Sequence, residues 1–295
     1  MKTKIGMVGI GLMGHGIARN LAKHGYPLTV LEHAGNQPLD KLKAAGVATA
    51  TTAAALAAGA DIIILCVTGS PEVEVVLMGE GGVLQGLRAG AVVIDCSTAV
   101  PSSTERVAQA VRAAGGRFVD APMTRTAKEA HDGRLNLLVG AEPALFEEIK
   151  PVLACFAENI TLAGPTGAGH RMKLLHNSVS LGFIALLAEA AACAERAGIA
   201  PEVLVDVLGK GGGGGVALER LKPYLLARDA SGLKFAMGNA QKDLGYYTQM
   251  ARDTQAVHTI ADAVHGTYAA AVAQAGPQTV VPELVTLLAQ RTPTI

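Results

Sequence analysis

Short, almost wholly apolar segments alternate with helical segments through the first half of the chain. Asp61–Val67, for example, is β-branched and lacks polar alternation, which favours a strand that is buried on both faces. The predicted strands are Lys4–Gly9, Leu28–Leu31, Asp61–Val67, Val92–Cys96, Phe118–Ala121, Leu135–Val139 and Asn159–Leu162, with helices at Leu12–His24, Thr52–Ala58, Ser102–Ala114 and Pro143–Phe156. Such a pattern predicts an α/β domain, with a parallel sheet covered by helices on both faces.

The second half of the chain has a different pattern. A long helix is predicted from His170 to about Ala197, and no alternation of strands returns after it. The later helices are predicted at Glu202–Leu208, Leu218–Ala227, Ala240–Arg252, Ala256–Ala273 and Glu283–Gln290, with a flexible glycine loop at Gly211–Gly215. The turn-forming residues 164–167 mark the boundary. We therefore predict an α/β domain over residues 1–164 and an all-helical domain over 165–295, entered by the long helix.

Composition excludes several classes of partner. Lys plus Arg and Asp plus Glu number 25 each, so the formal net charge is zero, and aromatic residues make up 3% of the chain. A nucleic-acid-binding protein usually has a basic excess, and stacking of single-stranded nucleic acid needs aromatic side chains. Val179–Ala194 is apolar but is interrupted by Glu189, so a membrane span is not expected. We expect neither nucleic acid nor membrane as a partner.

The four cysteines form no C-x-x-C pattern, so neither a zinc site nor a disulfide framework is indicated. All four lie in apolar stretches and are expected to be reduced core residues. The basic start of the chain, Met1–Lys4, leads into a glycine-broken apolar segment, unlike a signal peptide. These features predict a cytoplasmic protein, and no group of ligands has the spacing of a metal site.

A glycine-rich turn follows the first predicted strand and opens the first helix. It has the spacing G-x-G-x-x-G and consists of Gly9, Ile10, Gly11, Leu12, Met13 and Gly14. In this context Gly9 permits the tight turn, Gly11 lets the backbone approach a pyrophosphate, and Gly14 lets the helix pack on the strand. The turn predicts a Rossmann domain that binds a dinucleotide at a helix N-terminus.

Other strand ends are expected to complete the cofactor site. Glu32 ends the second strand, where a carboxylate can accept hydrogen bonds from the adenosine ribose and repels a 2′-phosphate. This favours NAD, although the neighbouring His33 keeps NADP possible. Val67 ends the third predicted strand and Thr68 follows it, and both are assigned to the cofactor side, because ligands bind at the carboxyl ends of parallel strands.

Four segments of the chain, in the same order, resemble the β-hydroxyacid dehydrogenases, a family that includes 3-hydroxyisobutyrate dehydrogenase and tartronate semialdehyde reductase. The segments are Gly9–Leu21, Asp120–Thr126, Gly167–Asn177 and Lys242–Gly245. The resemblance covers nearly the whole chain. It implies a nicotinamide-dependent oxidoreductase that acts on a small anionic hydroxy acid or the corresponding aldehyde or ketone.

The resemblance also assigns residues. It implies that Lys173 is catalytic and that Asn177 supports substrate binding. These two are spaced i, i+4, so they share one face of the long helix. A lysine there can donate a proton to the carbonyl oxygen during reduction and accept the hydroxyl proton during oxidation. The segment Asp95–Thr98 resembles the family's D-x-S-[ST], which places Ser97 with the substrate and Thr98 with the cofactor, and Lys242 is expected to close over the cofactor.

Thr124, Arg125 and Thr126 depart from the family pattern, which usually has Ser-Gly-Gly there. Two hydroxyls remain as candidates for substrate binding, and an arginine stands in place of a glycine. Its planar fork suits a carboxylate, sulfonate or phosphate, and the segment resembles the G-R-T of sulfolactaldehyde reductases. Arg125 therefore either clamps an anionic substrate group, or points to solvent or pairs with an acid such as Glu129.

The leading interpretation is an NAD(P)-dependent dehydrogenase of a small β-hydroxy acid, similar to 3-hydroxyisobutyrate dehydrogenase, with its site at the carboxyl ends of the strands. The alternatives are a sulfolactaldehyde-type reductase, an imine reductase and a non-catalytic NAD-binding module. The Ala- and Leu-rich helical half has faces that are hard to cover in a monomer, so we expect a homodimer or homotetramer.

Overall fold

A computed structural model describes residues 2–290 of the chain. Contacts divide the chain into two compact units, with the division between Lys173 and Leu174. Met1 and residues 291–295, including the predicted domain end at 295, lie outside the described residues.

The first unit is built on one mixed sheet, which has nine strands within the described residues. Its order is β3-β2-β1-β4-β5-β6-β8-β7, and β9 also pairs with β8. The strands are β1 Ile5–Val8, β2 Leu28–Leu31, β3 Ala48–Ala50, β4 Ile62–Leu65, β5 Val92–Asp95, β6 Arg117–Asp120, β7 Met123–Thr124, β8 Leu135–Gly140 and β9 Ala157–Gly164. The helices between them are α1 Leu12–Lys23, α2 Asp40–Ala44, α3 Ala53–Ala58, α4 Ser70–Met78, α5 Val83–Gly86, α6 Pro101–Ala113, α7 Ala127–Asp132 and α8 Pro143–Leu153.

The central strands are apolar throughout because both faces of the sheet are buried. In β4, Ile62 and Ile64 belong to one apolar cluster, whereas Ile63 and Leu65 belong to a second cluster on the opposite face. Successive side chains of a strand point to opposite faces, so each cluster takes every second residue. The alternation of strand and helix therefore gives the predicted doubly covered sheet.

The sequence pattern predicted a parallel sheet, but the observed sheet also contains antiparallel pairs. Both β6 and β7 pair with β8 in the antiparallel sense, while β9 pairs with β8 in parallel. The connection from β6 to β8 contains β7 and α7, and α7 includes His131 and Asp132. The sequence signal for α7 is a capping box, formed by Thr126 and Glu129.

The second unit is helical, as predicted, and shares with the first unit the long helix α9, Ala168–Arg196. The other helices are α10 Pro201–Lys210, α11 Val216–Ala227, α12 Met237–Asp253, α13 Thr259–Ala275 and α14 Leu284–Gln290, with 3-10 turns at Ala230–Gly232 and Val281–Glu283. Helix α13 begins at Thr259, three residues after the predicted start. Tyr268 is fully buried in the core of this unit, where its hydroxyl donates to the carbonyl oxygen of Leu181.

Two expectations about apolar segments need correction or qualification. Cys96 and Cys155 are buried as predicted, but Cys193 is exposed on α9. By length and composition, α9 is the one helix of residues 2–290 that is long and apolar enough to cross a membrane, and half of its most apolar stretch is buried within the protein. Core helices of water-soluble enzymes satisfy the same criterion.

Candidate active site

The glycine turn after β1 presents backbone rather than side chains. Gly9 has φ +90°, and a Cβ there would lie 2.2 Å from the carbonyl oxygen of Cys66. A Cβ on Gly14 would lie 1.9 Å from the carbonyl oxygen of Gly9, whereas one on Gly11 would meet nothing within 4 Å. Gly11 is also the N-cap of α1 and offers no side-chain cap. The first N–H groups of α1 are therefore placed to bind a pyrophosphate, and these residues fit the predicted dinucleotide.

The loop after β2 is held against this turn. The N–H of Ile10 donates to Oδ1 of Asn36 at 3.3 Å, and the N–H of Gln37 donates to the carbonyl oxygen of Ile10 at 2.7 Å. Glu32 directly follows β2 beside this loop and is exposed, with its Oε1 2.9 Å from Nζ of Lys43. Hydrogen bonding by Lys43 lowers the pKa of the Glu32 carboxyl, which keeps a carboxylate where the ribose is expected.

Ser97 joins two neighbouring strand ends. Its hydroxyl oxygen accepts from the N–H of Val67 at 3.0 Å, and its own N–H donates to Oδ1 of Asp95 at 2.9 Å. Ser97 is buried, Val67 and Thr98 are partly buried, and Thr68 is exposed. The structure thus brings Val67 and Ser97 into contact at the ends of β4 and β5.

A buried polar cluster lies at the ends of β5 and β6. Asp95, Asp120 and His170 all have fully buried side chains. Atom Nε2 of His170 lies 3.8 Å from Oδ2 of Asp95, and Nδ1 lies 3.9 Å from Oδ2 of Asp120. Burial raises the pKa of the Asp95 carboxyl, an effect that the nearby His170 partly opposes. Sequence reasoning assigned no role to these three residues. A carboxylate near the carboxyl end of an apolar strand, present at both Asp95 and Asp120, was the available signal.

Asp120 fixes the start of helix α9. Its Oδ1 accepts from the N–H of Gly167 at 2.6 Å, and its Oδ2 accepts from the N–H of His170 at 2.8 Å. A Cβ on Gly169 would lie 2.3 Å from the carbonyl oxygen of Leu138, so only glycine allows this approach of helix to sheet. Lys173, which is partly buried, follows His170 by about 4.5 Å of helix rise.

The predicted residues of the second unit also meet one another. The amide Nδ2 of Asn177 donates to Oδ2 of Asp243 at 2.6 Å, and Nζ of Lys242 lies 3.2 Å from Oδ1 of the same carboxylate. Both Asn177 and Asp243 are buried. Asp243 thus connects two of the motif residues, although the sequence assigned it no role.

Each polar side chain of the segment Thr124–Thr126 has a partner within the protein. The hydroxyl of Thr124 accepts from Nδ2 of Asn136 at 3.1 Å, and the hydroxyl of Thr126 donates to Oε2 of Glu129 at 2.6 Å. The partners of Arg125 are Glu158, through an ion pair, and the carbonyl oxygen of Arg134. Arg125 also has φ +80°, the left-handed region that favours glycine.

The parallel strands β1 to β6, the glycine turn and the acidic residue after β2 define a Rossmann dinucleotide-binding domain. The family model described as the NAD binding domain of 6-phosphogluconate dehydrogenase matches residues 4–164. The model described as the NAD-binding of NADP-dependent 3-hydroxyisobutyrate dehydrogenase matches residues 167–288.

Known proteins resemble the chain over most of its length. The 2-(hydroxymethyl)glutarate dehydrogenase of Eubacterium barkeri is 36% identical over 246 residues, which are 82% of this chain and 80% of the relative. The 2-hydroxy-3-oxopropionate reductase of Escherichia coli is 33% identical over 250 residues, 84% of each chain. A structure of 3-hydroxyisobutyrate dehydrogenase from Mycobacterium tuberculosis with L-serine superposes with a TM-score of 0.88 and 26% identity, covering 98% of this chain and 99% of that one.

The chain belongs to the 3-hydroxyisobutyrate dehydrogenase family of NAD(P)-dependent β-hydroxyacid dehydrogenases. The family membership that four short motifs predicted is thereby confirmed. The predicted oxidoreductase activity and the nicotinamide dinucleotide cofactor are confirmed with it.

Proposed function

We propose that this enzyme transfers a hydride between NAD and a small β-hydroxy acid or its semialdehyde, with Lys173 as the proton donor and acceptor. The observation that carries the proposal is the attachment of the first turn of α9 to the end of strand β6. Asp120 binds the N–H groups of Gly167 and His170, so the turn that leads to Lys173 is anchored at the strand ends. These ends are where a Rossmann domain binds its ligands.

The cofactor, when bound, supplies or accepts the hydride. Lys173 donates a proton to the substrate carbonyl oxygen during reduction, and its amine accepts the hydroxyl proton during oxidation. Its ammonium group also stabilises the negative charge that develops on that oxygen. Asn177 orients the substrate, and its bond to Asp243 fixes the orientation of the amide.

Glu32 favours NAD over NADP in this proposal, because a carboxylate repels a 2′-phosphate. The carboxylate is charged, and its ion pair with Lys43 reduces this repulsion without removing it. Comparing kcat/KM for the two cofactors tests the preference, and equal values would overturn it.

The test of the catalytic role is Lys173→Ala, assayed with 3-hydroxyisobutyrate, 2-(hydroxymethyl)glutarate and 2-hydroxy-3-oxopropionate. Loss of general acid–base catalysis lowers kcat by about 10²- to 10⁴-fold. The Kd for NADH, measured by fluorescence titration, stays close to that of the wild type. Lys210→Ala is the matched control, because Lys210 lies exposed on α10 beside Asp206. Nearly full turnover by Lys173→Ala would exclude Lys173 as the proton donor and acceptor. A wild type that binds NADH but turns over none of these compounds would favour a non-catalytic NAD-binding module.

The alternative of a sulfolactaldehyde-type reductase receives less support from the geometry. Arg125 would have to clamp the anionic group, but its guanidinium pairs with Glu158. An arginine whose charge is already matched offers less attraction to a second anion. The segment therefore favours a substrate whose acidic group is bound by groups other than Arg125.

We also propose a cytoplasmic homodimer or homotetramer. Leu175, Val179 and Leu186 recur on one face of α9, and all three are exposed. Exposed apolar side chains at helical spacing are typical of an interface. Light scattering coupled to gel filtration tests the oligomeric state, and a monomer would contradict this proposal.

A further inference from the structure

His170 is a fully buried imidazole for which the proposed mechanism has no chemical use. It lies in the first turn of α9, and its ring contacts two other elements. Nε2 lies 3.1 Å from the carbonyl oxygen of Ser97, and Nδ1 lies 2.8 Å from the hydroxyl of Thr104 on α6.

The hydrogen bonds fix the orientation of this ring. A carbonyl oxygen can only accept, so Nε2 carries a hydrogen and donates it to Ser97. The hydroxyl of Thr104 occupies the other nitrogen, and one carboxylate flanks each side of the ring, Asp95 near Nε2 and Asp120 near Nδ1. An imidazole with both nitrogens engaged and no exposure to water is held in one position.

The same turn of helix is held from a second direction. The backbone N–H of His170 donates to Oδ2 of Asp120, at the end of β6. The ring of His170 reaches the segment that follows β5, where Ser97 also binds the N–H of Val67. One residue therefore connects the first turn of α9 to the ends of β4, β5 and β6.

We propose that His170 is a positioning residue for hydride transfer: it fixes the backbone of Ser97 and Thr98 relative to the turn that carries Lys173. This inference rests on the proposed function, in which Ser97 and Thr98 line the site and Lys173 moves the proton. Reacting groups must be placed closely, and a displacement of about 1 Å can lower the rate about 100-fold. The hydrogen bond from Nε2 to Ser97 supplies that placement.

Two substitutions test the hydrogen bonds of the two ring nitrogens separately. In His170→Asn the side-chain amide can occupy the place of Nδ1 but cannot reach Ser97, whereas in His170→Gln it can occupy the place of Nε2 and donate to Ser97. Both remove the imidazole between two buried carboxylates, so both are expected to lower the melting temperature. Only loss of the bond to Ser97 is expected to reduce the rate.

The experiment compares the two variants by steady-state kinetics and by hydrogen–deuterium exchange of peptides covering residues 95–100 and 167–174. H170N lowers kcat by about 10- to 100-fold with KM and the Kd for NADH nearly unchanged, and both peptides exchange faster. H170Q restores most of kcat and the slow exchange. A purely structural role would give both variants equal losses, which would overturn the proposal.

H170Q tests the positioning role of the bond to Ser97 even if H170N does not fold. A folded H170Q whose kcat is as low as that of Lys173→Ala excludes this bond as the positioning contact. Failure of the proposed function is a separate result. If the wild type turns over none of the hydroxy acids, the chemistry assigned to Lys173 fails, while unchanged exchange of residues 95–100 in H170N would independently refute the connection.

Discussion

The glycine turn Gly9–Gly14 and the segment Met123–Thr126 both carry a family motif, yet they differ in what they offer to a ligand. The turn offers backbone: Gly11 has open space beside it and α1 has no side-chain cap. In the segment, every polar side chain is already bonded to another part of the chain. A ligand can use the first site as it stands, whereas it must use backbone groups of the second or displace existing partners.

This difference separates two kinds of specificity. Recognition by the turn depends on close approach and on a helix N-terminus, which suit any dinucleotide pyrophosphate. Recognition by the segment depends on which charges remain unmatched, and Glu158 matches the charge of Arg125. In the proposed function, the turn therefore selects the cofactor class and the segment restricts the substrate.

The largest expected effect follows from Gly14→Ala. The added methyl group would lie 1.9 Å from the carbonyl oxygen of Gly9, so the turn or the helix must shift. Overpacking of this kind lowers the free energy of unfolding by about 2–3 kcal/mol, and NADH binding is lost with the shape of the turn. Chemical denaturation and a fluorescence titration measure the two effects. A variant with wild-type stability would show that the turn is less tightly packed than the structure indicates.

Gly11→Ala is expected to weaken cofactor binding with little change in the free energy of unfolding. Nothing lies within 4 Å of the added methyl group, so the free energy of unfolding falls by no more than about 1 kcal/mol, the scale of an N-cap change. The Kd for NADH rises about tenfold or more, because crowding of the pyrophosphate costs about 1.4 kcal/mol or more. Isothermal titration gives the Kd. Unchanged affinity would mean that the cofactor does not approach Gly11 closely.

The fold was largely predictable because its signals are local. A short stretch of sequence is enough to predict a buried apolar strand such as β4, the glycine turn or the long apolar helix. The antiparallel pairing of β7 with β8 and the short helices α2 and α5 escaped prediction. Their formation depends on partners distant in sequence, and a helix of four or five residues shows no full period of its own.

The site was predictable where a motif specifies a backbone shape, and less so where side chains select partners. Asp120 and Asp243 lay inside motifs, but only the structure shows that one caps α9 and the other joins Asn177 to Lys242. Glu129 was named as one acid that could pair with Arg125, but it is bonded to Thr126, and Arg125 pairs with Glu158. A pairing between strands more than thirty residues apart leaves no local sequence signal.

The contrast between the two segments is sharpened by Glu158→Gln and Arg125→Gly. Removing the carboxylate leaves Arg125 unmatched, so kcat/KM for oxidation of 2,3-dihydroxypropane-1-sulfonate, the alcohol formed from sulfolactaldehyde, relative to 3-hydroxyisobutyrate rises about tenfold, the scale of one charge-assisted hydrogen bond. Arg125→Gly relieves a left-handed backbone strain of about 1 kcal/mol and leaves 3-hydroxyisobutyrate turnover nearly unchanged. Steady-state kinetics on both substrates measures the ratio. A wild type that already prefers 2,3-dihydroxypropane-1-sulfonate, and loses this preference in R125G, would establish Arg125 as an anion clamp.

The smallest effect is expected at the cap of α7, where Glu129 holds Thr126. The Thr126 hydroxyl, followed by its N–H, lowers the pKa of the Glu129 carboxyl. The charged carboxylate therefore stabilises the folded state above the pKa of the unfolded chain, and this contribution is lost as the pH falls through the lower pKa of the folded state. Glu129→Ala lowers the free energy of unfolding by about 0.5–1 kcal/mol at neutral pH, the usual range for a cap. Glu129→Gln, which keeps an acceptor without the charge, loses less.

Denaturation curves for wild type, E129A and E129Q across the acid range measure this effect. The gap between wild type and E129Q closes as the carboxyl becomes protonated, while the gap to E129A persists in part because the alanine offers no acceptor at any pH. Because Thr126 uses its hydroxyl in this cap, E129A also leaves that hydroxyl available to a ligand. A change in KM without a change in kcat in E129A would show that the cap keeps the Thr126 hydroxyl away from the substrate. Equal KM in all three proteins would place Thr126 outside substrate binding and leave backbone groups as the segment's contribution.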